Sequence, residues 1–268
     1  MIPNILSIAG SDPSGGAGIQ ADIKAISANG GYAMAAITGL TVQNTRGVTR
    51  VSLTAPDLVR DQIAAIRADI HIDAVKIGML GDAAIIKAVA EALTGVTAPI
   101  VLDPVMVAKG GDRLLEAAAM AALRDRLLPM AAVITPNLPE AADLLGQPEA
   151  RDRAEMQAQA AALLSLGPKA VLLKGGHLSG GESPDLLLQA GDSAWLEGTR
   201  IASGNTHGTG CTLSSALATL IASGFDVEEA ARRAKTYVTG AIAGANQLHV
   251  GSGHGPTHHF HALWHAPD

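Results

Sequence analysis

NTHGTGCTLSSALA, residues 205 to 218, joins two glycines and the chain's only cysteine, Cys211, to a small-residue segment of helical character. Such a turn presents the first backbone N–H groups of a helix, here those of Gly208, Thr209, Gly210 and Cys211, to whatever lies beyond its end. These donors and the helix dipole favour an anion, and glycine lets the chain wrap close to it. Two readings of Cys211 stand side by side. One is a buried, inert thiol; the other is a reactive thiol whose pKa the helix end lowers from about 8.5 toward neutrality. Spacing places no general-base histidine beside it, and His207, its near neighbour, has an open direction. The turn suggests an anion site, and the rest of the chain has to decide which chemistry it serves, so the sequence is read outward from here.

Outward, short apolar runs alternate with longer amphipathic ones, as expected when crossover helices join parallel strands. The strand candidates are 4–10, 33–40, 74–79, 99–105, 131–137 and 170–176, and residues 185–189 and 195–202 read as antiparallel additions separated by a turn-rich GDSAW. In APDLVRDQIAAIRADI, Leu58, Val59, Ile63, Ile66 and Ile70 are assigned to one helical stripe. Two helices close the chain, at about 209–223 and 226–246, with Asp226 as N-cap and Glu229 three residues on. The 268 residues show no linker, repeat or low-complexity block and read as one α/β domain. Its central, mostly parallel sheet carries helices on both faces.

A formal net charge of −6 and only two Trp, two Tyr and two Phe remove the basic footprint and stacking platform of nucleic-acid binding. A lone cysteine cannot form an intramolecular disulfide, the segment MIPNILSIAG has no basic stretch before its apolar run, and no apolar run reaches membrane-spanning length. The expectation is a cytoplasmic protein with no membrane association.

Several strand candidates end in distinctive residues: Gly10 then Asp12, Gln43, Gly78 then Met79, Asp103, Asn137, and Lys174 then Gly175. Ligands bind outside the carboxyl ends of strands in open α/β sheets, so these positions should gather on one edge. The loop GSDPSGGAGIQAD (10–22) formally contains G-x-G-x-x-A, but SDPSG separates it from the strand and no acidic residue ends the next strand, which weakens a dinucleotide site. No P-loop motif occurs. Asn137 and Glu140, three apart at a strand-to-helix turn, could bind hydrated magnesium or could simply cap the helix. Lys174 could meet a phosphate or be an ordinary surface lysine. His254, His258, His259, His261 and His265 crowd the last residues without a spacing that requires a metal. Gly30–Gly31 could loosen a loop over the site.

Nine segments carry a family resemblance: AGSDPSGGAGIQADIK, TVQNTRGV, KIGML, VLDPVM, LLPMAAVITPNLPEA, LLKGGH, SPDLL, NTHGTGCTLSSALA and GPTHHFHALW. By them the chain resembles the bacterial hydroxymethylpyrimidine/phosphomethylpyrimidine kinases of thiamin biosynthesis, which have the ribokinase-like fold. The resemblance implies an ATP- and Mg2+-dependent kinase acting on 4-amino-5-hydroxymethyl-2-methylpyrimidine and then on its monophosphate, with pyridoxal kinase as the alternative. It implies that Gln43 reads the pyrimidine edge, with Gly10, Asp22, Val42, Met79 and Val105 lining the same pocket. Asp103, Asn137, Glu140 and Lys174 would serve ATP, magnesium and the phosphates. Gly208, Thr209 and Gly210 would form the anion hole, with Cys211 near the acceptor oxygen as a weak base that matters more in the first transfer than in the second. A homodimer is the expected assembly.

Overall fold

The computed structural model describes residues 1–106 and 117–264, so His265 lies outside the described residues. In chain order the strands are β1 (Asn4–Ser11), β2 (Tyr32–Asn44), β3 (Gly47–Leu53), β4 (Ala74–Ile77), β5 (Ile100–Leu102), β6 (Val133–Ile134), β7 (Ala170–Lys174), β8 (Asp185–Gln189) and β9 (Asp192–Leu196). The helices are α1 (Gly18–Ala28), α2 (Pro56–Asp69), α3 (Ala83–Ala92), α4 (Ala117–Ala122), α5 (Leu138–Leu145), α6 (Arg153–Leu164), α7 (Thr209–Ala222) and α8 (Val227–Ala243). The strands form one sheet in the order β3-β2-β1-β4-β5-β6-β7-β8-β9. Neighbours from β2 to β7 run parallel, and β3, β8 and β9 add antiparallel edges. This is the ribokinase-like arrangement.

The central strands are mostly apolar because both faces are covered, with Ser7 in β1 and Lys76 in β4 as buried polar exceptions. Side chains alternate between two cores: Leu6, Val75, Leu102, Ile134 and Leu173 pack on one side, and Ile5, Ala74, Val101, Val133 and Leu172 on the other. Helices α2, α3, α5 and α6 cover the first face and α1, α7 and α8 the second. Each buried Leu or Ile stabilises the fold by about 1.5–3 kcal/mol. Local signals start the helices: Asp82, Asp152 and Asp226 each accept the backbone N–H three residues ahead, with Asp226 taking that of Glu229 at 2.8 Å.

Four expectations change. Strand β3 is an addition to the expected set, because its residues are half-buried or exposed and its apolar Val48, Val51 and Leu53 follow no regular alternation. The final strand covers Asp192–Leu196 rather than 195–202, so most of GDSAW is strand and its hairpin turns at Ala190–Gly191. Leu58 is exposed whereas Val59 and Ile63 are buried, since neighbouring helix positions diverge by about 100°. Gly30–Gly31 is the turn from α1 into the amino end of β2, where Gly31 packs against Ile26 and Thr219, on the opposite side of the sheet from the strand ends named above.

Candidate active site

The sheet order reverses at the β1–β4 neighbour pair, whose outgoing connections lead to opposite sides, and such a switch point leaves a crevice at the carboxyl ends of the strands. A cleft of about 1030 Å³ lies along this edge. Gly10, Asp12, Gln43, Met79, Asp103, Asn137 and Lys174 all line it, so the strand-end residues do converge, although Gly78 and Gly175 lie outside the lining. The HGTGC turn lines the same cleft through Gly208, Thr209, Gly210 and Cys211.

At one end, Lys174 leaves the last residue of β7 and its Nζ lies 3.0 Å from Asp103 Oδ1 and 3.9 Å from Glu140 Oε2. Thr135 donates to the same Asp103 oxygen at 3.0 Å. Burial would lower the Lys174 pKa, but Asp103 and Glu140 overcome it and hold the ammonium above its usual value. Burial raises the Glu140 carboxyl to about 7, against the pull of Lys174 and with the push of Asp103. A Cβ on Gly210 would lie 3.2 Å from Asp103 Oδ2 and 3.4 Å from Lys174 Nζ, so the absence of a side chain lets the amino end of α7 meet this charge cluster. Asn137 and Glu140 also form a capping box on α5: each side chain accepts the other's backbone N–H at 2.8 Å. The capping reading of this pair therefore holds, and Glu140 faces Lys174 at the same time. Among the described residues no three His, Cys, Asp or Glu side chains converge on a common point. Two neighbouring carboxylates suit magnesium, which usually takes one or two of them and completes its shell with phosphate and water.

Cys211 stands one residue beyond Gly210, half-buried, with the Gly18 backbone N–H directed at its sulfur. Burial pushes its thiol up to about 11; Lys76 lowers it, and Asp22 and Asp103 push it further up. The expectation of a thiol lowered toward neutrality is thereby overturned: desolvation and two carboxylates outweigh the helix end. Asp22 lies beneath the cleft rather than along it. It is fully buried, held by Lys76 Nζ at 2.8 Å and by the hydroxyls of Ser7 and Ser215 at 2.6 and 2.8 Å. Burial would discharge Lys76, and the Asp22 carboxylate more than restores it. Motif spacing does not reveal this pair, although a lysine inside the apolar run AVKIGM signals a buried partner.

At the other end, Gln43 lines the cleft from β2 beside His207, and Met79 and Val105 line the same cleft. Val42 points the other way and is 49% exposed, because successive strand residues face opposite sides; Thr41 takes the lining place expected for it. His207 is turned away from a role as base for Cys211. Its Nε2 lies 2.8 Å from Asp12 Oδ2 and 3.4 Å from Gln43 Nε2. Burial would raise the Asp12 carboxyl, but hydrogen bonds from His207 and Ser14 hold it below its usual range.

A family model described as phosphomethylpyrimidine kinase matches residues 12–258. The chain belongs to that family. This kinase is 51% identical over 262 residues to the hydroxymethylpyrimidine/phosphomethylpyrimidine kinase of Escherichia coli, covering 97% of this chain and 98% of the relative. Its fold superposes on the phosphomethylpyrimidine kinase of Clostridium difficile with a TM-score of 0.79 at 41% identity, over 90% of this chain and 99% of that one. It superposes on the ADP complex of Bacillus subtilis pyridoxal kinase with a TM-score of 0.88 at 36% identity, over 97% and 98% of the two chains.

Proposed function

We propose that the chain is a cytoplasmic, ATP-dependent kinase of one domain that phosphorylates 4-amino-5-hydroxymethyl-2-methylpyrimidine and then its monophosphate, yielding the diphosphate for thiamin biosynthesis. The observation that carries this reading is the meeting of Lys174, Asp103 and Glu140 with Gly210 at the amino end of α7, across one cleft from Gln43. Phosphoryl transfer needs reactants held in line and charge neutralised on the moving group. Lys174 and the backbone N–H groups of residues 208–211 supply that charge complement. Asp103 and Glu140, with Asn137 nearby, are the residues that would hold Mg2+, which would supply positive charge against the phosphates. Gln43 offers one donor and one acceptor to the pyrimidine edge, with Gly10, Met79 and Val105 beside the ring.

In the first transfer the hydroxymethyl oxygen forms a bond to the γ-phosphorus, the bond to the ADP oxygen breaks, and the hydroxyl proton is released. A thiol held at about 11 is protonated at neutral pH, so Cys211 acts as a contact that positions the acceptor oxygen rather than as its base. A loose transition state makes little demand for a base. The second acceptor is a phosphate monoester that is already largely ionised.

The similarity to pyridoxal kinases supports pyridoxal as a second acceptor, since it too is a flat heteroaromatic ring bearing a hydroxymethyl group. The deciding experiment incubates the purified protein with ATP, magnesium and either ring and counts phosphates on each product by mass spectrometry. A pyrimidine diphosphate establishes the two-step kinase. Turnover of pyridoxal alone, or a pyrimidine monophosphate only, overturns it.

Exposed apolar residues lie on both faces of the β2–β3 edge, Leu40 and Val42 on one and Val51 and Leu53, paired with Thr41 and Gly39, on the other. They support a homodimer formed through this edge of the sheet.

A further inference from the structure

We propose that His207 is the residue that sets the polarity of the Gln43 amide, and through it the way an aminopyrimidine ring lies in the cleft. The inference rests on the reading that such a ring binds beside Gln43.

Asp12 fixes the histidine first. Its Oδ1 accepts the Ser14 backbone N–H at 2.9 Å and the Ser14 hydroxyl at 2.7 Å. Its Oδ2 accepts the Ala17 backbone N–H at 2.9 Å and faces His207 Nε2 at 2.8 Å. An ionised carboxylate only accepts, so the proton of the His207 ring at this contact sits on Nε2. Gln43 Nε2 lies 3.4 Å from that same nitrogen, which sets one N–H donor against another. On its other side, Gln43 Oε1 lies 3.1 Å from Thr41 Oγ1. The single hydroxyl proton of Thr41 has a nearer acceptor, the Ser11 carbonyl at 2.9 Å.

The two ends of an amide have nearly the same size and shape, so its neighbours decide which end goes where. Exchanging the ends of Gln43 satisfies every group. The carbonyl shares the His207 Nε2–H with Asp12, and the NH2 donates to Thr41 Oγ1. One N–H and one lone pair then remain for the cleft in a fixed order. An aminopyrimidine presents an amine donor next to a ring-nitrogen acceptor, and that pair matches the amide in one sense only. Polarity at Gln43 therefore decides where the ring's hydroxymethyl group points. A pyridoxal ring has no amine beside a ring nitrogen, so its binding depends far less on that order. His207 is thus a positioning residue that favours the pyrimidine over the pyridoxal ring.

The test compares wild type, His207→Leu and His207→Gln in steady-state assays with the hydroxymethylpyrimidine and ATP, with pyridoxal as competitor. Loss of one oriented hydrogen bond predicts that KM for the pyrimidine rises about tenfold in His207→Leu, with kcat held within about threefold. KM for ATP and the inhibition constant of pyridoxal should stay nearly unchanged, and His207→Gln, which can still donate to Asp12, should recover part of the loss. An unchanged pyrimidine KM, or a parallel rise in both KM values, overturns the proposal. A second readout needs no variant: in the wild-type protein the Gln43 side-chain NH2 protons should show nuclear Overhauser contacts to Thr41 and not to the His207 ring, and the reverse pattern also overturns it. Wild type that fails to phosphorylate the pyrimidine defeats the functional reading itself, whereas turnover with an unaffected variant defeats only the role of His207.

Discussion

Lys174 separates two carboxylates that would otherwise face each other, at 3.0 Å from Asp103 and 3.9 Å from Glu140. Removing one partner of a buried ion cluster leaves uncompensated charge, so Lys174→Met should cost about 3–5 kcal/mol in urea unfolding. Losing a charge aimed at the transferring group should also lower kcat by about 100- to 1000-fold. Adding Asp103→Asn should return part of the stability and none of the activity; a double variant as unstable as the single would show that the two side chains do not interact. Cys211 is the other residue whose environment decides its chemistry. With its thiol held at about 11, Cys211→Ala should slow both transfers by the same factor, about tenfold or less, through lost contact alone. A pH–rate profile of the first transfer with an ascending limb between pH 6 and 9 that vanishes in the variant would restore the thiolate base.

At the scale of the element, α7 owes its aim to the residue before it. Gly208 adopts φ 78°, and a Cβ there would lie 1.7 Å from the Gly16 carbonyl oxygen of the first glycine loop. The two loops touch backbone to backbone. Gly208→Ala should therefore displace the amino end of α7, lowering kcat/KM by about 100-fold or more together with the melting temperature. Gly224 supplies the control: it has φ 95°, but a methyl group added there would meet nothing within 4 Å, so Gly224→Ala should show only the conformational cost, about 1 kcal/mol, and full activity. Equal loss of activity in the two variants would mean that strain, not the contact with Gly16, is what matters.

At the scale of the whole molecule, the last residues return to brace the site. The His207 backbone pairs with Gly255 and Thr257, His258 donates its N–H to the Ala241 carbonyl, and Tyr237 donates its hydroxyl to the His259 carbonyl. His259 Nε2 meets Thr212 Oγ1 at 3.1 Å; because that hydroxyl donates to the Gly208 carbonyl, the histidine is the donor. Burial, assisted by Lys24 and His258, lowers the His259 pKa from 6.5 to about 3. The unfolded chain takes up this proton near 6.5 and the folded chain does not, so stability is full above pH 6.5 and declines as pH falls toward 3. His259→Gln, which keeps an N–H donor, should flatten the fall in melting temperature between pH 7 and 4 by about 3 °C or more. An unchanged slope would place the titration elsewhere. The assembly is tested at this scale too: Val51→Lys with Leu53→Lys should convert a dimer into a monomer in light scattering, and a wild-type monomer would end the dimer proposal.

The alternation of apolar runs, the helix-capping aspartates and the strand-end residues are local facts, and they determined the α/β class, the parallel core and the edge on which the cleft lies. Each depends on side-chain period and hydrogen bonding within a few residues, which a linear chain displays directly. Strand β3 was hidden because an edge with little burial needs no apolar pattern, and the limits of β9 were hidden because turn residues and strand residues overlap in composition. Only tertiary structure could bring Asp12 to His207, 195 residues apart, or Lys76 to Asp22, or crowd two carboxylates around Cys211. The direction of the thiol's pKa, the outward turn of Val42 and the burial of Asp22 all follow from long-range packing. Desolvation and Coulomb forces act through space, and the order of residues along the chain does not record which charges will meet.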